Sequence, residues 1–259
     1  MESAKTLRAP GPLLLALESR APWEFGAMLA AWPLLSMAPS GDGHAVLVFP
    51  GFGAPDFTTR PLRNYLRARG YDAYGWDQGF NFGPREGVLA QCMERFRALR
   101  AQSGRKVSLV GWSLGGIYAR EIAKMFARDV RCVITLGTPF TGDPKANNAW
   151  RLYELTSGHK LDDREKFARM HEAPRVPTTS IFSRSDGVVA WRCSFQKESR
   201  LAENIEVVTS HVGMGLHPSA LFAVADRLAQ AEGKWKRFER DGWRAWFYRD
   251  TSQLAGTFV

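Results

Sequence analysis

The stretch from Lys106 to Arg128 constrains this chain more than any other. Val107, Leu109 and Val110 form a short apolar run of the kind found in a buried strand. Ile117, Ala119, Ile122, Ala123, Met125 and Phe126 then recur at helical spacing. Between them stands Gly111-Trp112-Ser113-Leu114-Gly115-Gly116. A strand that turns directly into a helix crowds two backbones, so glycines two residues either side of the serine suit such a turn. The turn lifts the Ser113 hydroxyl above the sheet edge and aims the Leu114 amide at negative charge forming beside it. A glycine-rich packing turn is the bland reading of these letters. The flanking strand, the helix and the extra Gly116 favour a nucleophile elbow.

The rest of the chain supplies the frame such a turn needs. His44 to Phe49 reads as a buried strand ending in Pro50-Gly51-Phe52-Gly53, and Tyr71 to Trp76 as a second. Further strands are expected at Val130–Leu136, Thr178–Phe182 and Asn204–Val208, and helices at Pro61–Arg69, Glu86–Gln102 and Leu216–Ala231. Strands alternating with helices imply an α/β fold: a mainly parallel sheet of about six strands with helices on both faces. At 259 residues this is one domain over about 41–259, with residues 1–40 as an N-terminal amphipathic extension. Residues 140–176 hold helix-like pieces at Ala146–Thr156 and Asp163–His171 but no strand, and read as a small helical cap inserted between two strands.

The tail, about 232–259, interleaves Lys234, Lys236, Arg237, Arg240, Arg244 and Arg249 with Trp235, Phe238, Trp243, Trp246, Phe247 and Tyr248. It reads as a segment folded onto the body, with a membrane-surface patch as the sharper alternative. The same alternative applies to the extension, with Trp23, Phe25, Met28, Leu29 and Trp32. The formal net charge of +9 favours anionic surfaces in general, but no basic run interrupts the fold, so nucleic acid is not an expected partner. Cys92, Cys132 and Cys193 are odd in number and far apart, which argues against a disulfide framework or a metal site. No apolar run spans a bilayer and no signal peptide is recognisable, so a cytoplasmic protein, with peripheral membrane contact left open, is expected.

An activated serine needs a base and an acid, which in this kind of sheet follow it on loops after later strands. Asp186, in Ser183-Arg184-Ser185-Asp186-Gly187, lies four residues past the fifth strand and is the expected acid, ahead of Asp143, Asp162 and Asp163 near or within the cap. An Asp-Gly turn is its bland reading. Of the five histidines, His44 starts its strand and so lies at the wrong sheet edge, while His159 and His171 fall in the cap. His211, three residues past the sixth strand, is preferred as the base over His217, which precedes Pro218 and reads as the start of the closing helix. The amides of Phe52 and Leu114 are the expected oxyanion donors.

With Gly51-Phe52-Gly53, the GWSLGG turn, Gly137-Thr138-Pro139, Ser185-Asp186-Gly187 and Ser210-His211 in hand, the chain resembles the α/β-hydrolase superfamily from about His44 to Ala231. Within it, it is similar to the bacterial lipase and esterase branch. The resemblance implies ester hydrolysis through an acyl-enzyme on a small-molecule or lipid ester, with no metal and no organic cofactor. Pro50-Gly51 stands where many lipases carry His-Gly, and the usual leading antiparallel strand pair is not visible before His44. The apolar cap and Trp112 point to a hydrophobic acyl group. The alternatives are an acyltransferase or thioesterase using the same residues, and a non-catalytic hydrolase-fold protein binding a membrane or protein surface.

Overall fold

The computed structural model describes residues 7–157 and 170–257. Six strands form one sheet: β1 (Ala45–Phe49), β2 (Asp72–Gly75), β3 (Val107–Trp112), β4 (Val130–Leu136), β5 (Thr178–Phe182) and β6 (Ala202–Glu206). Their order is β2-β1-β3-β4-β5-β6 and every pairing between them is parallel. The order reverses between β1 and β3, so connections leave in opposite directions there and a crevice opens beyond the strand ends.

Alternation along the strands divides the core. Val46, Val48 and Val110 face one side, where α2 (Ala21–Ala30), α3 (Trp32–Leu35), α4 (Arg60–Ala68) and α8 (Pro218–Leu228) contribute Met28, Leu35, Leu62 and Leu221. Leu47, Phe49 and Leu109 face the other, against Phe96 and Leu99 of α5 (Val88–Ser103) and Ile122 of α6 (Leu114–Met125). Each such aliphatic side chain, fully buried, stabilises the fold by about 1.5–3 kcal/mol. Runs buried on both faces are what made these strands readable as apolar stretches.

The sixth strand lies two residues earlier than its expected position at Asn204–Val208. Its buried side chains include Glu203, paired with Arg227 at 2.9 Å, and Asn204, which accepts the Gln196 amide at 2.9 Å. A strand that buries satisfied polar groups carries no apolar run to mark its start.

The N-terminal extension begins with α1 (Pro12–Ala16) and packs α2 and α3 on α8. Its apolar side chains are divided between the buried and the exposed face. Ala21, Glu24 and Met28 point inward, whereas Trp23 is 80% exposed. In the tail, Phe238 and Tyr248 are buried on the core, while Trp246 is exposed. Among the described residues no helix is long and apolar enough to cross a membrane. Of the expected cap, α7 (Trp150–Ser157) is present, and most of the piece at Asp163–His171, with Asp162 and His159, lies outside the described residues.

Candidate active site

Ser113 is the residue between β3 and α6, with φ 52° and ψ −125°. For a side chain bearing a Cβ this is a strained backbone, held only because its surroundings leave no alternative. Those surroundings are tight. A Cβ on Gly111 would lie 2.3 Å from Gly116 Cα, and one on Gly115 would lie 2.5 Å from the Phe49 carbonyl oxygen. The two flanking glycines are therefore required by close approach, and the turn cannot relax without separating α6 from β1 and β3.

The elbow sets Ser113 Oγ 2.9 Å from His211 Nε2, and His211 Nδ1 lies 2.6 Å from Asp186 Oδ2. The other Asp186 oxygen accepts the amides of Val188 and Val189 at 2.8 and 2.7 Å, which fixes the carboxylate. With Asp186 holding the Nδ1 proton, Nε2 is left as acceptor for the serine hydroxyl. Burial works to lower the His211 pKa, but the charge and hydrogen bond of Asp186, with the charge of Glu18, outweigh it, and the net direction is up.

The Leu114 amide is the first of α6 and has no intrahelical acceptor. Gly51 packs on the serine, since a Cβ there would stand 3.2 Å from Ser113 Cβ. The loop after β1 is held to the loop after β2 by the amide of Gly53, bonded to Asn81 O at 2.7 Å, and turns on itself through the amide of Ala54, bonded to Gly51 O at 3.2 Å. Among the described residues, the Phe52 amide takes no part in either bond. Ser113 also lines a mostly apolar cavity of about 310 Å³, with Phe52, Leu89, Ile117, Phe140, Tyr153 and Val189 around it.

The other candidates fall elsewhere. Asp143 accepts the Lys145 amide at 2.8 Å. His217 caps α8, accepting the Ser219 amide at Nδ1. Trp112 does not line the cavity; it packs on the core and donates its indole N–H to the His211 carbonyl at 3.0 Å. Trp150 is likewise absent from the cavity lining, where Tyr153, one turn on, meets the Phe52 ring at 5.7 Å.

Sequence reasoning missed the extension's part in this site. Glu18, Arg20 and Glu24 reach the loops carrying Asp186 and His211. The available signal was Glu24 sharing one helix face with Ala21 and Met28.

A model of the alpha/beta hydrolase family matches residues 30–252. No curated protein matches the sequence. Among solved structures, the fold is similar to Aspergillus fumigatus lipase B, with TM-score 0.57 and 18% identity over 74% of this chain and 53% of that one. This chain thus spans about half the length of that lipase. An esterase of Pyrococcus furiosus matches at TM-score 0.55 and 13% identity, over 73% of this chain and 84% of its own. A monoacylglycerol lipase of Paleococcus ferrophilus matches at TM-score 0.51 and 13% identity, over 73% and 96%. At these identities the likeness is one of fold.

Proposed function

The chain belongs to the alpha/beta hydrolase family, and from that premise we propose that it is a serine hydrolase of carboxylic esters with a hydrophobic acyl group. The observation that carries this reading is the unbroken path from Ser113 Oγ through His211 to Asp186, starting in a strained elbow on the wall of an apolar cavity. Ester names among the structural neighbours agree with it.

The chemistry follows from the atoms. His211 Nε2 accepts the Ser113 proton as Oγ bonds to the ester carbonyl carbon, and the carbonyl oxygen gains the negative charge. The amides of Leu114 and Phe52 face that oxygen. Losing such a donor typically costs about 3–4 kcal/mol of barrier. Asp186 keeps the imidazole oriented and stabilises its charged form. Collapse of the intermediate expels the alcohol, which takes the proton from His211 and leaves an acyl group on Ser113. Water then repeats the sequence, releasing the acid and restoring the serine.

The test is covalent. A fluorophosphonate probe should label the wild-type protein on Ser113, and p-nitrophenyl esters of graded acyl length should be hydrolysed with a preference above acetyl. An unlabelled folded protein refutes the reading. Labelling accompanied by acyl transfer to an added alcohol or thiol, in place of hydrolysis, assigns the site to a transferase.

A further inference from the structure

The extension is fastened to the two loops that carry Asp186 and His211 through three charged side chains. Glu18 Oε1 accepts the amide of Gly187 at 2.7 Å and that of His211 at 2.9 Å, and Oε2 accepts that of Val212 at 2.9 Å. Arg20 donates to the carbonyl of Ser185 at 3.0 Å and to its hydroxyl at 2.8 Å. Glu24, itself buried, accepts the Ser210 amide at 2.8 Å and the Ser210 hydroxyl, and pairs with Arg20 at 3.2 Å. The loops are shaped to receive this segment. A Cβ on Gly187 would lie 2.1 Å from the Leu14 carbonyl, and one on Gly213 would lie 1.6 Å from a Glu24 oxygen.

One carboxylate thus spans the peptide that follows Asp186 and the peptide of His211 itself. Because both amides converge on Glu18, the separation of the two loops is set from outside them, by a residue 193 positions away in the chain. A structural latch for the extension needs only some attachment. Here the attachment lies on the backbone of the proton-transfer groups, and every bond is charge-assisted, the stronger class of hydrogen bond.

We propose that Glu18 is a positioning residue for this site: bridging Gly187 and His211, it holds the Asp186 carboxylate against the imidazole, and the extension is part of the catalytic apparatus. This rests on the hydrolase reading above. Glu18 touches neither substrate nor Ser113 and acts through the geometry of the pair. Its charge also favours the imidazolium, in the same direction as Asp186. The other charged or titratable groups nearby are Arg20 and Glu24 on the extension, His217 before α8, and Cys193, whose buried thiol feels the charges of Asp186 and Asp143.

The experiment is Glu18→Gln in the full chain, with Glu18→Asp beside it, followed by p-nitrophenyl ester kinetics against pH. Glu18→Gln should lower kcat roughly tenfold to a hundredfold with KM little changed, the scale on which small misplacements of reacting groups act. It should also move the acidic limb of the kcat/KM profile to lower pH, because a negative charge beside His211 is gone. A latch that merely holds the extension down would change the amount of folded enzyme and leave that limb in place. Glu18→Asp keeps the charge but shortens the reach, so it should lose kcat while the limb stays near its wild-type position. If Glu18→Gln does not fold, the Asp variant decides: wild-type kcat there overturns the proposal. A folded Glu18→Gln with wild-type kcat and an unmoved limb also overturns it. Failure of the hydrolase reading is separate, since it would appear as a wild-type protein that no fluorophosphonate labels.

Discussion

A serine, a histidine and an aspartate are hydrogen-bonded in series at both ends of β3. Beyond its C-terminal end, Ser113 meets His211 and His211 meets Asp186. Near its N-terminal end, Ser108 Oγ lies 2.8 Å from His44 Nε2, and His44 Nδ1 lies 2.5 Å from Asp42 Oδ1. The two serines are five positions apart, about 16 Å along the strand. The atom types, their order and their distances agree. We propose chemistry at only one of them, and on that reading the hydrogen-bonded series alone does not make a serine reactive.

Three differences decide the matter. Ser108 lies within β3, at the register shift between Val107 and Leu109 against β4, and keeps a negative φ, whereas Ser113 follows the strand's C-terminal end with φ 52°. Ser108 and His44 are 0% exposed, whereas Ser113 opens on about 310 Å³ of mostly apolar space that neither of them lines. The charge around each histidine also differs. Burial lowers the His44 pKa, and although Asp42 opposes this, the guanidiniums of Arg131 and Arg105 assist it, leaving a neutral imidazole. Asp42 is itself bound by both arginines at 2.7 Å, so its charge is largely committed to them. At His211 the balance runs the other way, with two carboxylates, Asp186 and Glu18, outweighing burial, so protonation of the ring is favoured.

The largest expected effect contrasts the two serines. Ser113→Ala should fold with a normal melting temperature and lose at least about 10⁴-fold in kcat, the scale of triad losses. Fluorophosphonate labelling of that variant should vanish. Retention of more than about a hundredth of wild-type turnover would remove Ser113 as nucleophile. The histidines are distinguished in the same way. His211→Ala should abolish the burst of acyl-enzyme, while His217→Ala, which removes a helix cap, should cost about 1 kcal/mol of stability and leave the burst. The reverse pattern would assign the base to His217.

A smaller effect concerns the cavity that only the Ser113 end possesses. Tyr153→Ala enlarges it beside Phe52 and should shift preference toward longer acyl groups, each methylene being worth roughly 1–3 kcal/mol in such a pocket. Trp150→Ala should keep the wild-type ranking. Relative kcat/KM for acetyl, butyryl, octanoyl and palmitoyl esters is the measurement, and an unchanged ranking for Tyr153→Ala would place acyl selection elsewhere. The pH profile follows from the direction of the His211 shift. The base must be neutral to act and its pKa lies above the ordinary 6.5, so kcat/KM should rise with pH through a midpoint above that value. A midpoint below 6.5 would contradict the electrostatic account.

Much of this contrast was legible in the sequence. His44 opens its strand, which puts it at the sheet edge away from the elbow, and the elbow is readable because close packing restricts Gly111 and Gly115 to a single residue type. Parallel strands buried on both faces left uninterrupted apolar runs. What escaped was carried by polar groups whose partners are distant in sequence: Glu203 and Asn204 inside β6, Glu18 and Glu24 on the extension, and the Ser108–His44 contact. A buried carboxylate satisfied by an amide two hundred residues away looks, in one dimension, like any surface glutamate. Helical spacing identified a helix near residue 150 but not which of its side chains faces the cavity.

The smallest predicted effect is the one that isolates the second series. In the fold, Asp42 fixes the His44 proton on Nδ1, so Nε2 accepts from Ser108, whose oxygen in turn accepts the Cys132 thiol at 3.3 Å. Ser108→Ala removes the donor to a buried ring nitrogen and leaves the Cys132 thiol without that acceptor. An unsatisfied buried acceptor costs about 1–3 kcal/mol, and the cavity left by one hydroxyl adds little. Chemical denaturation should therefore show a loss of that size, with kcat, KM and fluorophosphonate labelling at wild-type values. Lost labelling in a folded Ser108→Ala variant would show that the buried series communicates with the site along β3. An unchanged stability would mean that the His44 nitrogen finds another donor, and that the series at the N-terminal end of β3 contributes nothing measurable to holding the sheet together.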